Sequence, residues 1–154
     1  MKKIFAIVLL IALALVPVFA KSEFFAVGLE AGYPAAGVTV NYDIDSKWDG
    51  YATASFDYRG AITVAVGGQY EVTKLEIESV KLPVMVGLQV VPTVAVKTGT
   101  FSLQALATGA VNYDFSIDDF DFTAYFRAGL GLGIVFGGTP KFAYGAALGC
   151  VYNF

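Results

Sequence analysis

The sequence predicts an all-β chain, an eight-stranded antiparallel up-and-down transmembrane β-barrel that follows an N-terminal signal peptide. Three observations lead to this prediction. Large apolar residues occupy every second position over most of the chain, the positions between them are mostly Gly, Ala, Ser and Thr, and aromatic residues concentrate towards the ends of the alternating segments. Alternation with a period of two is typical of a strand whose two faces meet different surroundings.

The first four predicted strands follow one another closely. Alternation covers Phe25–Leu29, Val38–Ile44, Ala52–Tyr58 and Ile62 to about Val72, and the turn residues between these stretches are Tyr33–Gly37, Asp45–Gly50 and Arg59-Gly60. Glycine, proline, aspartate and serine in such clusters favour turns. The next residues, Thr73–Ser79, are rich in charge and are predicted as a connection, although Leu75 and Ile77 could extend a neighbouring strand.

The last four predicted strands are the longer ones. Alternation covers Leu82–Val90, Phe101–Tyr113, Phe120–Phe136 and Phe142–Phe154, with breaks near Pro92, at the acidic Ser116–Asp119 and at Gly137–Pro140. Several of these stretches exceed the nine or so residues that a tilted strand needs to cross a bilayer.

Size and charge predict which face of the strands points outward. In a soluble barrel or sandwich, the strand face opposite the large apolar residues would carry lysines and glutamates, because it meets water. Here that opposite face has small side chains and few charges, which fits the interior of a narrow eight-stranded barrel. The large apolar set then points outward into lipid, and the barrel must close because an open edge would leave peptide groups unpaired in hydrocarbon.

The composition excludes several classes of protein. The 154 residues are 56% hydrophobic and 15% charged, with no histidine and one cysteine. Soluble domains carry about 25% charged residues, so this chain has few residues with which to cover a solvated surface. Disordered tails, basic nucleic-acid binders and disulfide-stapled miniproteins are excluded. We therefore expect no nucleic-acid partner, and without histidine imidazole catalysis and most zinc sites are excluded.

Residues 1–20 have the features of a secretory signal peptide. Lys2 and Lys3 give a positive start, an apolar run covers Ile4–Val16, and Val18-Phe19-Ala20 places small residues at the cleavage positions. An N-terminal membrane anchor is the alternative, but the small residues at the end of the segment favour cleavage. We expect two parts, a signal peptide at 1–20 and a single barrel domain at 21–154 in an exported protein.

The C-terminal residues carry a family resemblance. Gly149-Cys150-Val151-Tyr152-Asn153-Phe154 resembles the assembly signal of bacterial outer-membrane barrels, in which a glycine precedes alternating hydrophobic residues and a terminal aromatic residue. Ala147 stands where that signal often has a polar residue. The segment Gly28–Val38 is similar to the first hairpin of the small OmpA/OmpX-like eight-stranded class.

This resemblance implies a location and several partners. It implies insertion into the outer membrane of a diderm bacterium by the barrel assembly machinery, contact with outer-membrane lipid, a monomeric state and periplasmic termini. Gly149, Tyr152 and Phe154 would form the assembly signal. One feature is unusual, because the connections near Pro34, Gly60 and Gly138, which would face outside, are short, whereas such barrels usually have longer extracellular loops. Either a hairpin has been overlooked in residues 73–97 or the barrel exposes very little.

Charged residues in the inward phase predict an interior polar network. Unpaired charges in a narrow lumen are unfavourable, so Arg127 and Lys81 should lie against carboxylates such as Glu30 and Asp57. A gated polar path is the alternative to a fixed plug, but eight strands leave little open lumen. The network is therefore predicted to plug the barrel.

Other motifs predict no catalytic, cofactor or metal site. Asp118-Asp119 is typical of a solvated turn. The glycines of Gly129–Gly133 have no following helix, which a phosphate-binding loop requires. Cys150 falls on the predicted lipid face, where a thiol behaves as a small apolar side chain.

The function expected from these features is a non-enzymatic one. The leading hypothesis is a structural or surface-interaction barrel of the cell outer membrane with a plugged polar interior. A narrow channel or conduit for small or hydrophobic molecules is the first alternative. The second is a secreted periplasmic lipid-binding barrel with its aromatic residues inside, which would be soluble without detergent.

Overall fold

The computed structural model describes residues 25–154 and contains eight strands. They are β1 (Phe25–Tyr33), β2 (Ala35–Asp43), β3 (Trp48–Asp57), β4 (Ala61–Ile77), β5 (Val80–Ala95), β6 (Phe101–Ile117), β7 (Phe120–Val135) and β8 (Lys141–Asn153). Each strand pairs antiparallel with the next, and β8 pairs with β1 to close the barrel. The predicted all-β, eight-stranded up-and-down architecture is confirmed. The signal peptide predicted for residues 1–20 lies outside the described residues.

The described residues contain no helix that is long and apolar enough to cross a membrane.

The connections divide into two groups according to the end of the barrel at which they lie. We call the end where β1 begins and β8 ends the termini end, and it also carries the turns at 44–47, 78–79 and 118–119. We call the opposite end the far end, and its turns are residues 34, 58–60, 96–100 and 136–140.

The prediction of a connection at Thr73–Ser79 is wrong, and the alternative, in which Leu75 and Ile77 extend a strand, is confirmed. β4 continues to Ile77 and β5 starts at Val80, so only residues 78–79 form the turn. The charges of this segment pair within the hairpin, since Lys81 Nζ lies 3.6 Å from Glu76 Oε1. The closely spaced charged residues of this segment are therefore compatible with a strand. Since the structure has the eight strands that were predicted, residues 73–97 contain no overlooked hairpin, and the turns at the far end are short.

The two faces of the wall differ as the size and charge pattern predicts. Outward side chains such as Leu88 and Leu148 are 72% and 65% exposed, whereas the inward Thr39 and Thr53 are 0% and 2% exposed. The inward residues hydrogen-bond across strands, and the Thr53 hydroxyl donates to Thr39 Oγ1 at 3.0 Å. The molecule therefore has an apolar exterior, and its interior combines polar side chains with apolar ones.

The interior also contains larger side chains than the pattern suggests. Six of the buried apolar residues form two small clusters, which are Ala26, Tyr125 and Val151, and Ala65, Val91 and Leu106. These side chains alternate with polar ones and fill the narrow lumen. The barrel is therefore a packed structure with cavities rather than an open tube.

Candidate functional site in the barrel interior

A buried ion pair links two strands that are not neighbours in the wall. Arg127 of β7 donates from Nη1 to Glu30 Oε2 of β1 at 3.0 Å. The hydroxyl of Tyr125, two residues before Arg127 on the same face of β7, donates to the same carboxylate oxygen at 2.6 Å. The Arg127 and Glu30 side chains are only 5% and 15% exposed. The pair therefore lies inside the barrel and ties β1 to β7 across β8.

Two tyrosine rings flank the guanidinium. Arg127 Cζ lies 3.5 Å from the ring centroid of Tyr51 and 4.7 Å from that of Tyr125. The negative face of an aromatic ring attracts a cation at such distances. The Tyr51 hydroxyl in turn donates to Gln89 Oε1 at 3.2 Å. We call Glu30, Tyr51, Gln89, Tyr125 and Arg127 the central network, and it connects β1, β3, β5 and β7.

Sequence analysis did not single out Tyr51. The alternation of β3 nevertheless indicated its position. Ala52 and Ala54 lie on the outward face, so Tyr51 falls on the inward face with Thr53. A large aromatic residue among small inward residues marks a position that fills the lumen. Its contact with Arg127 depends on the closure of the barrel, which local alternation does not encode.

Each of the two tyrosines lies over a glycine of the next strand. Tyr125 is the register partner of Gly149, and Tyr51 is the register partner of Gly67. A Cβ at either glycine would overlap the ring of its tyrosine partner. Tyrosine over cross-strand glycine covers backbone that would otherwise lack a packing partner. Gly149, predicted as part of the assembly signal, therefore has a packing role in the folded barrel.

The other two residues of the predicted assembly signal lie on the outer face at the termini end. The rings of Tyr152 and Phe154 are 4.7 Å apart. Tyr152 also contacts Phe122 of β7, with ring centroids 5.6 Å apart. The three predicted signal residues thus divide between an inward glycine and an outward aromatic pair.

Of the four residues predicted to form the interior network, the structure brings Glu30 and Arg127 into contact. Asp57 is buried at the far end and pairs with Arg59, whose Nη2 lies 2.7 Å from Asp57 Oδ2. The expected pairing of Lys81 with Glu30 or Asp57 is wrong, because Lys81 contacts Glu76 near the turn between β4 and β5. Lys81 was assigned to the lumen because the extent of β4 and β5 was underestimated.

Cavities lie on both sides of the central network. The one towards the far end has a volume of about 80 Å³, and its lining includes Glu30, Asp57 and Arg127. The one at the termini end has a volume of about 590 Å³, and its lining includes Asp43, Asp49 and Glu71 together with Thr123. Tyr125 lies between Thr123 and Arg127 on β7, so the network separates the two cavities.

The larger cavity has an acidic lining. Asp43 of β2 and Asp49 of β3 are direct register partners, and Asp45, Glu71, Asp114 and Asp121 also line it, with Lys47 as the one basic residue among its described lining residues. Like charges directly opposite one another in a sheet are unfavourable. The charged side chains of this lining are therefore predominantly negative.

The interior holds a hydrogen-bonded polar network. Within residues 25–154, no group of three His, Cys, Asp or Glu side chains is placed to hold a metal ion. Cys150 is exposed on the outer face, away from the central network. The arrangement can hold opposite walls of the barrel together and block the lumen between the two cavities.

Comparisons with known proteins provide no family on which to build a function. The chain matches no family model, and comparisons with curated proteins and with solved structures found no match.

Proposed function

We propose that this chain is a lipid-embedded β-barrel of a bacterial outer membrane, with a structural or surface-interaction role and no enzymatic activity. The observation that carries the proposal is the apolar outer face of the closed barrel. Its signal peptide would export it, the barrel assembly machinery would insert it, and it would act as a monomer in contact with outer-membrane lipid.

The outer face is too apolar for a monomer in water. Leu29, Leu88, Leu130 and Leu148 are all exposed, and similar side chains occupy the outward phase of all eight strands. Monomeric soluble proteins rarely expose apolar patches larger than a few hundred Å². Hydrocarbon is a suitable environment for this face. In the closed part of the barrel wall each strand is paired on both sides, so no unpaired strand edge meets the hydrocarbon.

Aromatic residues at both ends of the barrel support the same environment. At the termini end the rings of Trp48 and Tyr70 are 5.1 Å apart. At the far end Tyr33 stacks on Tyr144 with centroids 5.7 Å apart. Two aromatic girdles separated by aliphatic residues are typical of barrels that cross a bilayer.

The proposed plug rests on the central network. Arg127 is held by Glu30 and lies between two rings, so moving it would break several contacts at once. The short far-end turns favour a structural role over surface interaction, because with periplasmic termini they are all that faces outside the cell.

A narrow conduit is the second candidate function. The two cavities on either side of the central network favour it, since polar side chains contribute to the lining of both. Planar-bilayer recording separates the candidates. Absence of stepwise current supports the plug, whereas openings that change in Arg127→Ala support the conduit.

A periplasmic lipid-binding barrel has less support. Such a protein needs an apolar interior, whereas the described interior contains the central network and hydrogen-bonded threonines. This candidate is tested together with the first.

Membrane fractionation combined with gel mobility tests the main proposal. We expect the protein in the outer-membrane fraction, extractable with detergent only, with a faster or slower band before heating than after. A protein that is soluble without detergent, or whose mobility is the same before and after heating, would contradict the proposal.

A further inference from the structure

Two hairpins extend beyond the rest of the wall at the termini end. β1, β2 and β3 have 9, 9 and 10 residues, whereas β4 to β7 have 16 or 17. β4 continues past Tyr70, the last partner of β3, and β6 continues past Val111, the last partner of β5. We call residues 72–84 the first hairpin tip and residues 112–124 the second hairpin tip.

A β-bulge keeps the outer face of the first tip apolar. The register between β4 and β5 shifts between Glu71 and Thr73, so that Val72 is an extra residue in β4. After it, Leu75 and Ile77 pair with Leu82 and Val80 on the outer face. Without the bulge, uninterrupted alternation through Val72 would turn Lys74 and Glu76 outward instead.

The charged residues of the first tip lie on its inner side. Lys74 Nζ is 3.5 Å from Glu71 Oε2, and Lys81 is the register partner of Glu76. Apart from the turn at 78–79, the outward residues of this tip are uncharged, and they are Thr73, Leu75, Ile77, Val80, Leu82 and Val84. In a hairpin that projected into water, both sides would be hydrated, and charged residues would not be confined to one of them.

The second tip has the same two-sided arrangement. On its inner side the Thr123 hydroxyl donates to Asp114 Oδ1 at 2.6 Å, and the Ser116 hydroxyl donates to Asp121 at 2.5 Å. On its outer side Phe115 stacks on Phe122 with centroids 5.5 Å apart. Further out, Ile117 and Phe120 pair at the end of the hairpin and are both exposed.

The height of the wall differs around the barrel. Nine residues of a strand tilted by about 40° rise about 23 Å, close to the apolar band of about 25 Å that such barrels present. Sixteen residues rise about 40 Å by the same geometry. In a membrane of uniform thickness the tips would therefore stand in water with their apolar faces uncovered.

We infer that both hairpin tips are immersed in the headgroup region at the termini end, and that the membrane is thicker beside β4–β7 than beside β1–β3. The strand edges that are unpaired in the tips then meet headgroups and water rather than hydrocarbon. This inference rests on the proposed lipid-embedded function. Lipid is the occupant that fits, because the outer faces of the tips continue the apolar exterior without interruption. Tyr113 of the second tip, which is exposed and stacks on Phe115, is also the kind of side chain that membrane interfaces favour, and bilayers adapt their thickness to a protein at modest cost.

Tryptophan depth measurements in vesicles of bromine-labelled phosphatidylcholine test this inference. The background variant is Trp48→Phe, which removes the one native tryptophan. Ile77→Trp then reports the outer side of the first tip, and Glu76→Trp, one residue away, reports its inner side. Leu88→Trp reports the middle of the wall, and heat-dependent gel mobility verifies that each variant has folded.

We expect Ile77→Trp to have blue-shifted emission and to be quenched roughly twofold more than Glu76→Trp by bromines near the headgroup. Equal, weak quenching of these two variants, with Leu88→Trp quenched by deep bromines, would place the tips in water and overturn this inference alone. If Leu88→Trp also escaped quenching, the proposed function itself would fail. Ile117→Trp and Ser116→Trp repeat the comparison on the second tip if the first pair does not fold.

Discussion

Arg127 illustrates what a buried cation needs inside a narrow barrel. Its guanidinium has a carboxylate partner in Glu30 and two ring faces, those of Tyr51 and Tyr125. Its Nε has no hydrogen-bond partner among the described residues. Desolvating the charge is unfavourable, and the position is stable because the ion pair and the rings compensate together.

Replacing Arg127 with Leu should lower the free energy of unfolding by about 3–5 kcal/mol, because the Glu30 carboxylate is then left buried without its cation. The double variant Glu30→Gln/Arg127→Leu should recover much of that loss, since it removes both charges. Urea unfolding in one lipid or detergent provides both values. A double variant as unstable as the single one would show that packing, rather than charge pairing, is what Arg127 contributes.

Gly149→Ala should lower the free energy of unfolding by about 1–3 kcal/mol, because the added Cβ would overlap the ring of Tyr125. Gly50→Ala is a matched control, since its Cβ would lie 3.7 Å from the nearest side-chain atom. Both variants are refolded in detergent without assembly machinery. Equal stability of the two would assign Gly149 to recognition during assembly rather than to packing.

The strands could be predicted from the sequence because one apolar residue in two is a strong local signal. The signal failed at residues 73–79, where charge was taken to indicate a loop although Lys81 pairs with Glu76 within the hairpin. Of the candidate site, the pairing of Arg127 with a carboxylate followed from the cost of an unpaired buried charge. The contact between Tyr51 of β3 and Arg127 of β7 did not follow, because it depends on the curvature and tilt of the closed barrel.

Deleting Val72 tests the role of the bulge in β4. The deletion should restore regular pairing, with Thr73 opposite Val84 directly after Glu71 opposite Met85, and it should keep the faces of the segment that follows. We therefore expect the free energy of unfolding to change by less than about 1 kcal/mol. Val72→Ala keeps the bulge and is the control. A deletion variant more than about 2 kcal/mol less stable than Val72→Ala would show that the bulge itself, and not only the alternation it preserves, stabilises the first tip.

The whole molecule has an apolar outer surface, unlike that of a soluble protein. Buried threonines and the central network lie in the interior, and exposed leucines such as Leu88 and Leu130 cover the exterior. In the proposed lipid environment, contact of this outer surface with hydrocarbon would contribute to the stability of the fold. The stability of the barrel should depend on the solvent around it more than that of a soluble barrel does.

A charge in the middle of the outer face measures this dependence directly. Leu88 is 72% exposed in the central part of β5, and its register partners are Gly68 and Ala107. In a lipid bilayer Leu88→Arg should lower the free energy of unfolding by about 2–4 kcal/mol, because arginine near the midplane loses its hydration. Ser46→Arg, in the turn at the termini end, should change it by less than about 0.5 kcal/mol. If Leu88→Arg and Ser46→Arg unfolded at the same urea concentration in vesicles, the outer face would not be in contact with hydrocarbon.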